Sequence, residues 1–456
     1  MTSTTESPNA PLPLREKIGY GIGDMGFNFY WANISSFLLI FYTDVMGLAA
    51  GAVGTMILVT KIIDAITDPM MGAIADRTRT RFGKFRPYLL YAALPMAVTG
   101  VLTYTVPDFQ SGGAKLLWGY VTFSLMMLAY TVLSTPYSAL SGVITGDSQQ
   151  RTTLISFRFI AAFAGTAIVN YCTLDLVDWL GGGDEALGWQ LTMAVYGLAA
   201  AALFITVFLT TRERVVPPPQ QNSAVRQDVK DLLNNKAWLV LFALALIIMV
   251  TIVMRGGASV YYMKYFVQRP DLTGKFLGVY SVALAVGAAI TPLLTRHIDK
   301  KRLMVGLMAT VGVLSCAMFF VPADAIGVMF VLNTLIGLAL GPKSPLAFSM
   351  YADTADYTEW KMGRRATAMT FAAATFSQKL GGALASAIIA WMLAGMGYVA
   401  NQAQSDASQM GIVLLLTVIP GVVAFIAAFT MRFYPLDNTR LTQIQSELLA
   451  RKAAQP

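Results

Sequence analysis

Three charged residues lie close together in one long apolar segment of the chain. Lys61, Asp64 and Asp68 are separated by three and four positions, so on an α-helix they fall in one wedge roughly 60° wide. The segment from 48 to 75 is long enough to cross a bilayer. Charges in the middle of such a helix are costly unless they face a partner or a water-filled cavity. The spacing therefore predicts a cation site on this helix, in a solute transporter.

The two carboxylates suit two kinds of cation. Asp64 and Asp68, one helical turn apart, can share a Na⁺, which prefers several hard oxygen ligands. Alternatively, they can hold one proton, because two like charges so close together disfavour full ionisation. Lys61 is expected to neutralise one carboxylate when the site is empty. The competing interpretation is a buried charge cluster that only holds helices together.

The composition restricts the class of protein. Of the 456 residues, 56% are hydrophobic and 13% are charged, about half the charged fraction of a soluble domain. Repeated apolar runs indicate a helical protein that crosses the membrane many times. The net charge of +8 is interpreted as loop charges that set orientation, and not as a nucleic-acid surface. The two cysteines lie in apolar segments, so no disulfide framework is expected.

Twelve apolar segments are predicted to span the membrane: 18–43, 48–75, 88–106, 116–145, 153–176, 188–210, 237–266, 274–295, 302–322, 325–351, 366–396 and 409–433. A polar linker divides them six and six. The predicted organisation is a disordered tail, a first bundle, the linker, a second bundle and a cytoplasmic tail, at 1–17, 18–210, 211–236, 237–433 and 434–456. We therefore predict an all-α membrane protein with two pseudo-symmetric six-helix bundles, the major facilitator fold. A carrier with ten or eleven spans is the alternative.

Loop charges predict the orientation. The loops after spans two, six, eight and ten are rich in lysine and arginine, and the opposite loops are acidic or sparse in charge. This asymmetry predicts that both termini face the cytoplasm, in a bacterial cytoplasmic membrane. The loop after span two has the pattern G-x-x-x-D-R-x-x-R/K, from Gly72 through Asp76, Arg77 and Arg81 to Lys84. We expect it to latch helix ends by ion pairing and by hydrogen bonds to helix carbonyls; a generic basic loop is the alternative.

Polar residues in spans one and four are candidate ligands. The Thr131 hydroxyl can complete a cation shell, Tyr130 can stack on a sugar ring, and Ser134 shares the helix face of Thr131. In span one, Asn28 and Trp31 offer an amide for sugar hydroxyls and an apolar ring face. Helix packing is the alternative role for each of these residues.

Two cations lie inside other predicted spans. In span five, the forked guanidinium of Arg158 is expected to bind substrate hydroxyls or a carboxylate, with snorkelling to the interface as the alternative. In span eleven, Lys379 lies too deep to snorkel, and Thr375 precedes it by one turn. Because spans two, five and eleven flank the cavity of a two-bundle carrier, Lys379 is expected to be the partner of Asp64.

Several stretches resemble one transporter family, the glycoside–pentoside–hexuronide:cation symporters, which includes melibiose permease. The most specific are D-A-x-x-D-P at 64–69 and R-x-G-K-[FY]-[RK]-P at 81–87; other matches are 20–23, 41–47, 130–131 and 352–361. The resemblance covers nearly the whole chain. It implies sugar or glycoside transport driven by Na⁺, Li⁺ or H⁺. By position, Asp64 and Asp68 match the cation-site acids, Thr131 the hydroxyl of helix four, and Arg158 and Lys379 the cavity cations. A cytoplasmic motif implied in gating contains Asp353, Asp356, Glu359 and Lys361.

The chain also departs from the family pattern. Asn28 and Ser134 stand where melibiose permeases carry acidic sugar ligands, which makes an α-galactoside an unsuitable substrate. Thr67 replaces an asparagine of sodium-coupled members, which favours H⁺ slightly over Na⁺. With fewer acids, the cavity is expected to be more positive, so an anionic hexuronide is a candidate substrate. A neutral oligosaccharide is equally compatible.

The resulting prediction is a monomeric symporter that imports a sugar, glycoside or hexuronide by alternating access. The coupling ion is H⁺ or Na⁺, and no cofactor, resident metal, enzyme activity or nucleic-acid partner is expected. The alternatives are a sugar sensor that does not transport and a lysolipid carrier of the same fold.

Overall fold

The computed structural model describes residues 11–145, 147–215, 233–362 and 367–453. The regular elements in these ranges are helices, and the β-type pairing among them is one bridge between Thr80 and Gly83. The first half contributes six helices: α1 Leu14–Ser36, α2 Ala50–Arg77, α3 in two segments Arg86–Tyr91 and Ala93–Thr103, α4 Gly112–Ile144, α5 Ser148–Gly181 and α6 Glu185–Thr210. A short helix Leu38–Ile40 and a π-helical turn Phe41–Val45 extend α1.

The second half contributes seven helices: α7 Lys236–Tyr261, α8 Thr273–His297, α9 Lys300–Met318, α10 in two segments Ile326–Leu340 and Lys343–Met362, α11 Thr367–Gly395, α12 in two segments Asp406–Leu416 and Val418–Thr430, and α13 Asn438–Ala453. Two of these helices are broken beside a proline. In α12 the break at Thr417 follows from Pro420, which has no N–H to donate to the Leu416 carbonyl. In α10 the second segment begins at Lys343, directly after Pro342.

The prediction of twelve membrane helices is confirmed. Ten helices of the described ranges, α2 and α4 to α12, are long and apolar enough to cross a membrane. The other two are α1, which carries four charged residues from Arg15 to Asp24, and α3, whose interruption at Ala92 leaves Ala93–Thr103 as a shorter apolar helix. One difference is that α1 already begins at Leu14, inside the predicted tail of residues 1–17. Another is that α13 lies in the predicted tail of residues 434–456.

The chain divides into two compact units. The first contains the described residues up to 215 with two short segments, Arg269–Gly278 and Ala390–Ser405. The second contains the remaining described residues. The predicted contiguous bundles, 18–210 and 237–433, differ from this division in those two segments. The physical reason lies in their contacts: Gly278 packs on the Tyr171 ring of α5, and Tyr398 and Asn401 donate hydrogen bonds to Asp44.

Helices α1 and α5 approach each other closely in the first unit. A Cβ atom added to Gly165 of α5 would lie 2.9 Å from the Met25 carbonyl oxygen, and one added to Gly21 of α1 would lie 2.9 Å from the backbone of Phe157. Glycine is therefore required at both positions for this spacing. The close approach brings the side chains between these two points, on facing turns of α1 and α5, within direct contact distance.

Candidate functional site

One threonine hydroxyl links the two predicted cation-site acids. Thr131 Oγ1 on α4 lies 2.7 Å from Asp64 Oδ1 and 3.0 Å from Asp68 Oδ1, both on α2. Asp64 is 2% exposed and Thr131 is fully buried. The structure thus brings together the three residues predicted as the cation site. A hydroxyl oxygen within 3.0 Å of two carboxylate oxygens is a donor set suited to a small hard cation or a shared proton.

The surroundings of the predicted cation site include a second hydroxyl group and a cavity. The Thr67 hydroxyl donates a hydrogen bond to the Asp64 carbonyl, 3.0 Å away, on its own helix. A cavity of about 420 Å³ between α2 and α4 borders Asp64 and Thr67, with Ser124 and Met127 on its α4 side. The cavity lies within the first unit and reaches the acid that is more deeply buried.

Lys61 contacts an aromatic pocket one turn before Asp64. Its ammonium lies 4.7 Å from the centroid of the Trp31 ring and 3.6 Å from the Met127 sulfur, and the residue is 5% exposed. The expected sugar contact Trp31 therefore already presents its ring to a cation, an arrangement that stabilises the buried ammonium. The predicted role of Lys61 as charge partner of the acids stays a prediction.

An ion pair between α1 and α5 was missed by the sequence analysis. Arg158 Nε lies 3.2 Å from Asp24 Oδ2, with side-chain exposures of 29% and 13%. The guanidinium also lies 5.0 Å from the centroid of the Tyr137 ring. An acid inside an apolar helix is itself a signal of function, so Asp24 was visible in the sequence, but its partner was not. Because Asp24 offsets the charge of Arg158, this ion pair contributes no net positive charge to the first unit.

The predicted ligand Asn28 lies one turn from this pair. Its amide donates a hydrogen bond to the Asp24 carbonyl, 2.7 Å away, and its Oδ1 accepts one from Thr166, 3.0 Å away. On α4, Tyr130 packs edge-on against Phe27 at 5.3 Å between ring centroids. Asn28, Tyr130 and Ser134 are each partly exposed. The structure therefore places a polar, partly exposed surface around the ion pair of the first unit.

The second unit contains Lys379, a predicted substrate residue, and Arg255, a buried arginine for which no role was predicted. Lys379 is partly exposed and Thr375 is exposed, one turn apart on α11. Arg255 on α7 is 1% exposed; it donates to the Asn333 side chain at 2.8 Å and to the Leu416 carbonyl at 3.2 Å. Arg255 thus satisfies the carbonyl that Pro420 leaves without a helical donor.

The loop after α2 is fixed by a residue that the sequence analysis did not select. The carboxylate of Glu213, after α6, accepts hydrogen bonds from the backbone N–H groups of Lys84, Phe85 and Arg86, at 2.8 to 3.0 Å. The Arg86 guanidinium donates to the carbonyl of Phe208 on α6. Arg86, which was not among the residues predicted for the latch, thus contacts a helix carbonyl, and Glu213 holds the amides of the loop.

The other residues of the predicted latch have different surroundings. Arg77 and Arg81 are exposed, and the Arg81 guanidinium lies over the Phe82 ring at 4.6 Å. The ammonium of Lys84 lies 5.1 Å from the centroid of the Phe85 ring. The side chain of Asp76 lies outside the description. The predicted ion pairing within this loop therefore stays a prediction.

The motif that the resemblance implies in gating connects α10 to neighbouring helices in the second unit. Asp353 is buried and pairs with Lys300 at the start of α9, with 2.7 Å between Oδ2 and Nζ. Lys361 lies over the Tyr357 ring at 5.8 Å. Trp360 donates to Glu447 of α13. Asp356 and Glu359, predicted to act with them, are partly exposed on the same helix.

Comparison with known proteins identifies the family. Residues 19–438 match the model of the family described as MFS/sugar transport protein. The inner membrane symporter YicJ of Escherichia coli (strain K12) is 39% identical over 439 residues, 96% of this chain and 95% of that protein. The putative glycoside/cation symporter YagG of the same organism is 37% identical over 445 residues, 97% and 96% of the two chains.

Solved structures agree on the fold. The nucleoside transporter NupG (D323A mutant) superimposes with a TM-score of 0.65 at 13% identity, over 93% of this chain and 99% of that chain. The chain is thus a membrane transporter with the major facilitator fold, and not an enzyme. It belongs to the MFS/sugar transport protein family, in the group of glycoside–pentoside–hexuronide symporters that the sequence motifs indicate.

Proposed function

We propose that this protein is a symporter that couples the entry of one monovalent cation to the import of a neutral glycoside by alternating access. The observation that carries the proposal is the Thr131 hydroxyl within 3.0 Å of both Asp64 and Asp68. Ionisable residues inside a membrane helix mark an ion or substrate pathway by default, and a hydroxyl that bridges two acids supports that role for this pair. The printed names of the two relatives, a symporter and a glycoside/cation symporter, are compatible with this role.

We call Lys61, Asp64 and Asp68 the cation cluster. Their formal charges favour the binding of one monovalent ion. Lys61 contributes +1 and the two carboxylates contribute −2, so the cluster carries −1 when all three are ionised. One H⁺ or Na⁺ makes it neutral, which lowers the cost of placing it inside a membrane. We favour H⁺, because Thr67 stands in place of the family's asparagine and its hydroxyl donates to a backbone carbonyl of α2.

The ion pair of α1 and α5 favours a neutral substrate. A substrate carboxylate would have to displace Asp24 from Arg158, whereas sugar hydroxyls can bond to both charged groups at once. Asn28, Trp31, Tyr130 and Ser134 are proposed to contribute further substrate contacts. From the sequence alone, Thr375 and Lys379 are proposed as substrate residues of the second unit.

Orientation and gating complete the proposal. The basic loops after α2, α6, α8 and α10 support cytoplasmic termini in a bacterial inner membrane, with the monomer as the transporting unit. The contacts of Arg86 with the end of α6, and of Lys300 with Asp353, hold the loops of each unit. We propose that both loops take part in gating as the cavity changes its side of access.

Transport by purified protein in proteoliposomes tests the coupling. Asp68→Asn is expected to abolish uphill accumulation of a labelled glycoside while exchange across the membrane persists, because the coupling cation loses a ligand and substrate contacts remain. Asp108→Asn, in an exposed loop, is the matched control and should accumulate like wild type. Uphill accumulation by Asp68→Asn would refute the cation assignment. An imposed pH gradient and an imposed Na⁺ gradient, applied separately, decide between the two ions.

Counterflow separates this function from its two alternatives. Vesicles are loaded with unlabelled glycoside or with unlabelled lysophospholipid, and the same compound is added outside in labelled form. Counterflow of labelled glycoside alone supports the proposal, and counterflow of labelled lysophospholipid alone would indicate a lipid carrier. Binding of glycoside without any counterflow would indicate a sensor.

A further inference from the structure

A groove of about 890 Å³ opens at one end of the second unit, between the start of α9 and the end of α12. At this end each helix changes between charged and apolar sequence: α9 becomes apolar after Arg302, and α12 is apolar up to Arg432. The groove therefore lies where these helices leave the hydrocarbon region. Among the described residues that line the groove, none belongs to the proposed transport or gating sites. Asp299 and Lys301, which line it, are the sequence neighbours of Lys300.

The groove has an apolar wall and a basic rim. Val305 and Gly306 of α9 and Phe429 of α12 form the wall, and Phe429 is 62% exposed. Arg302 and Arg432 line the rim with exposed side chains. An apolar surface continuous with two guanidinium groups fits a molecule that is itself half apolar and half anionic.

The two acids that line the groove, Asp299 and Asp437, each accept hydrogen bonds from backbone N–H groups at the start of a helix. Asp299 Oδ1 accepts hydrogen bonds from the backbone N–H groups of Lys301 and Arg302, at 2.9 and 3.2 Å. Asp437 Oδ1 accepts one from the backbone N–H of Arg440, at 2.8 Å. These carboxylates neutralise the positive ends of α9 and α13. With Lys301, which also lines the groove, three cations outnumber these two acids, so the groove keeps a formal charge of +1.

We propose that this groove binds an anionic phospholipid, with the phosphate held by Arg302 and Arg432 and an acyl chain along Val305, Gly306 and Phe429. The occupant is a lipid because a free phosphate would leave the apolar wall uncovered. It is an anionic lipid because the choline of a zwitterionic lipid would offset the attraction between its phosphate and the two guanidinium groups. On the orientation proposed above, the lipid belongs to the cytoplasmic leaflet. The site itself does not depend on the proposed substrate or cation.

Native mass spectrometry of the full-length protein tests this site. Protein in a neutral detergent is titrated with phosphatidylglycerol and, separately, with phosphatidylcholine of identical acyl chains. Wild type should bind phosphatidylglycerol more tightly than phosphatidylcholine, with an apparent preference on the order of fivefold for each arginine. Arg302→Gln/Arg432→Gln should lose this preference. Arg79→Gln/Arg296→Gln, which removes two exposed charges outside the groove, should keep it.

A second variant separates the contribution of the apolar groove to lipid binding from that of the two arginines. Gly306→Leu leaves both arginines in place, and a Cβ added at this position meets no atom within 4 Å, so the side chain fills the groove without a clash. It should abolish the phosphatidylglycerol preference in the same assay. The proposal fails if the preference survives in both groove variants, if the control variant loses it equally, or if glycerol phosphate alone competes as well as the lipid, which would indicate a site for soluble anions.

Discussion

Replacing Asp24 by asparagine should shift the substrate preference from neutral glycosides toward uronides. The substitution keeps the side-chain size and removes the charge that lies 3.2 Å from Arg158 Nε. Opposite charges about 4 Å apart attract by about 4 kcal/mol at the effective dielectric constant of a partly exposed site. Desolvation offsets about half of this, which leaves about 2 kcal/mol. A uronide must overcome that attraction in wild type but not in the variant.

The expected change is therefore a rise of about 30-fold in the ratio of uronide to glycoside affinity. The assay is calorimetric titration of purified protein with methyl β-glucoside and methyl β-glucuronide, which differ only at carbon six. Because the ratio is measured within one variant, a general loss of stability does not affect it. Asp24→Asn/Arg158→Gln should lose the gain, and Asp108→Asn should match wild type. An unchanged ratio in Asp24→Asn, or an equal gain in the double variant, would refute the reasoning.

Three further substitutions test separate contacts. Thr131→Val should weaken coupling-ion affinity by about tenfold or more, since a hydrogen bond to a charged group contributes about 1.5–3 kcal/mol; ion-dependent protection of the purified protein from heat measures this, and Thr131→Ser should restore it. Glu213→Gln should lower the melting temperature and speed proteolysis in the loop after α2, while Glu185→Gln, at the start of α6, should do neither. Arg255→Met should lower the melting temperature more than Arg269→Met, an exposed control, because the Leu416 carbonyl loses its donor; equal melting temperatures would contradict this role.

The sequence was sufficient to predict the membrane helices and the grouping of Asp64 and Asp68 on one helix face. Apolar length defines a spanning helix without any knowledge of its neighbours, so the predicted span 366–396 lies within one residue of α11, Thr367–Gly395. Asp64 and Asp68 share a face because both lie on one helix. Their contact with Thr131 joins two helices; the hydroxyl of Thr131 was a candidate cation ligand from its residue type, and the family resemblance matched it to the cation site.

Contacts between helices without a recognised motif could not be predicted. The pair of Asp24 and Arg158 depends on the register of α1 against α5, which the close approaches at Gly21 and Gly165 determine. Similarly, Glu213 lies 127 to 129 positions from the amides that it binds. Neither hydropathy nor helical periodicity contains information about such distant pairs.

For the function proposed above, the two charge clusters of the first unit would allow substrate and cation to be coupled without a net charge in the membrane. The pair of Asp24 and Arg158 is neutral by itself, so a neutral glycoside leaves its charge unchanged. The cluster of Lys61, Asp64 and Asp68 becomes neutral only with one monovalent cation bound. A carrier loaded with both ligands therefore has no uncompensated charge in this unit, whereas one loaded with glycoside alone retains −1 and pays the cost of a buried charge when its access changes. An anionic substrate would cancel this advantage, because the carrier loaded with both ligands would again carry −1, and for that reason the ion pair of α1 and α5 and the acids of α2 favour the same neutral substrate.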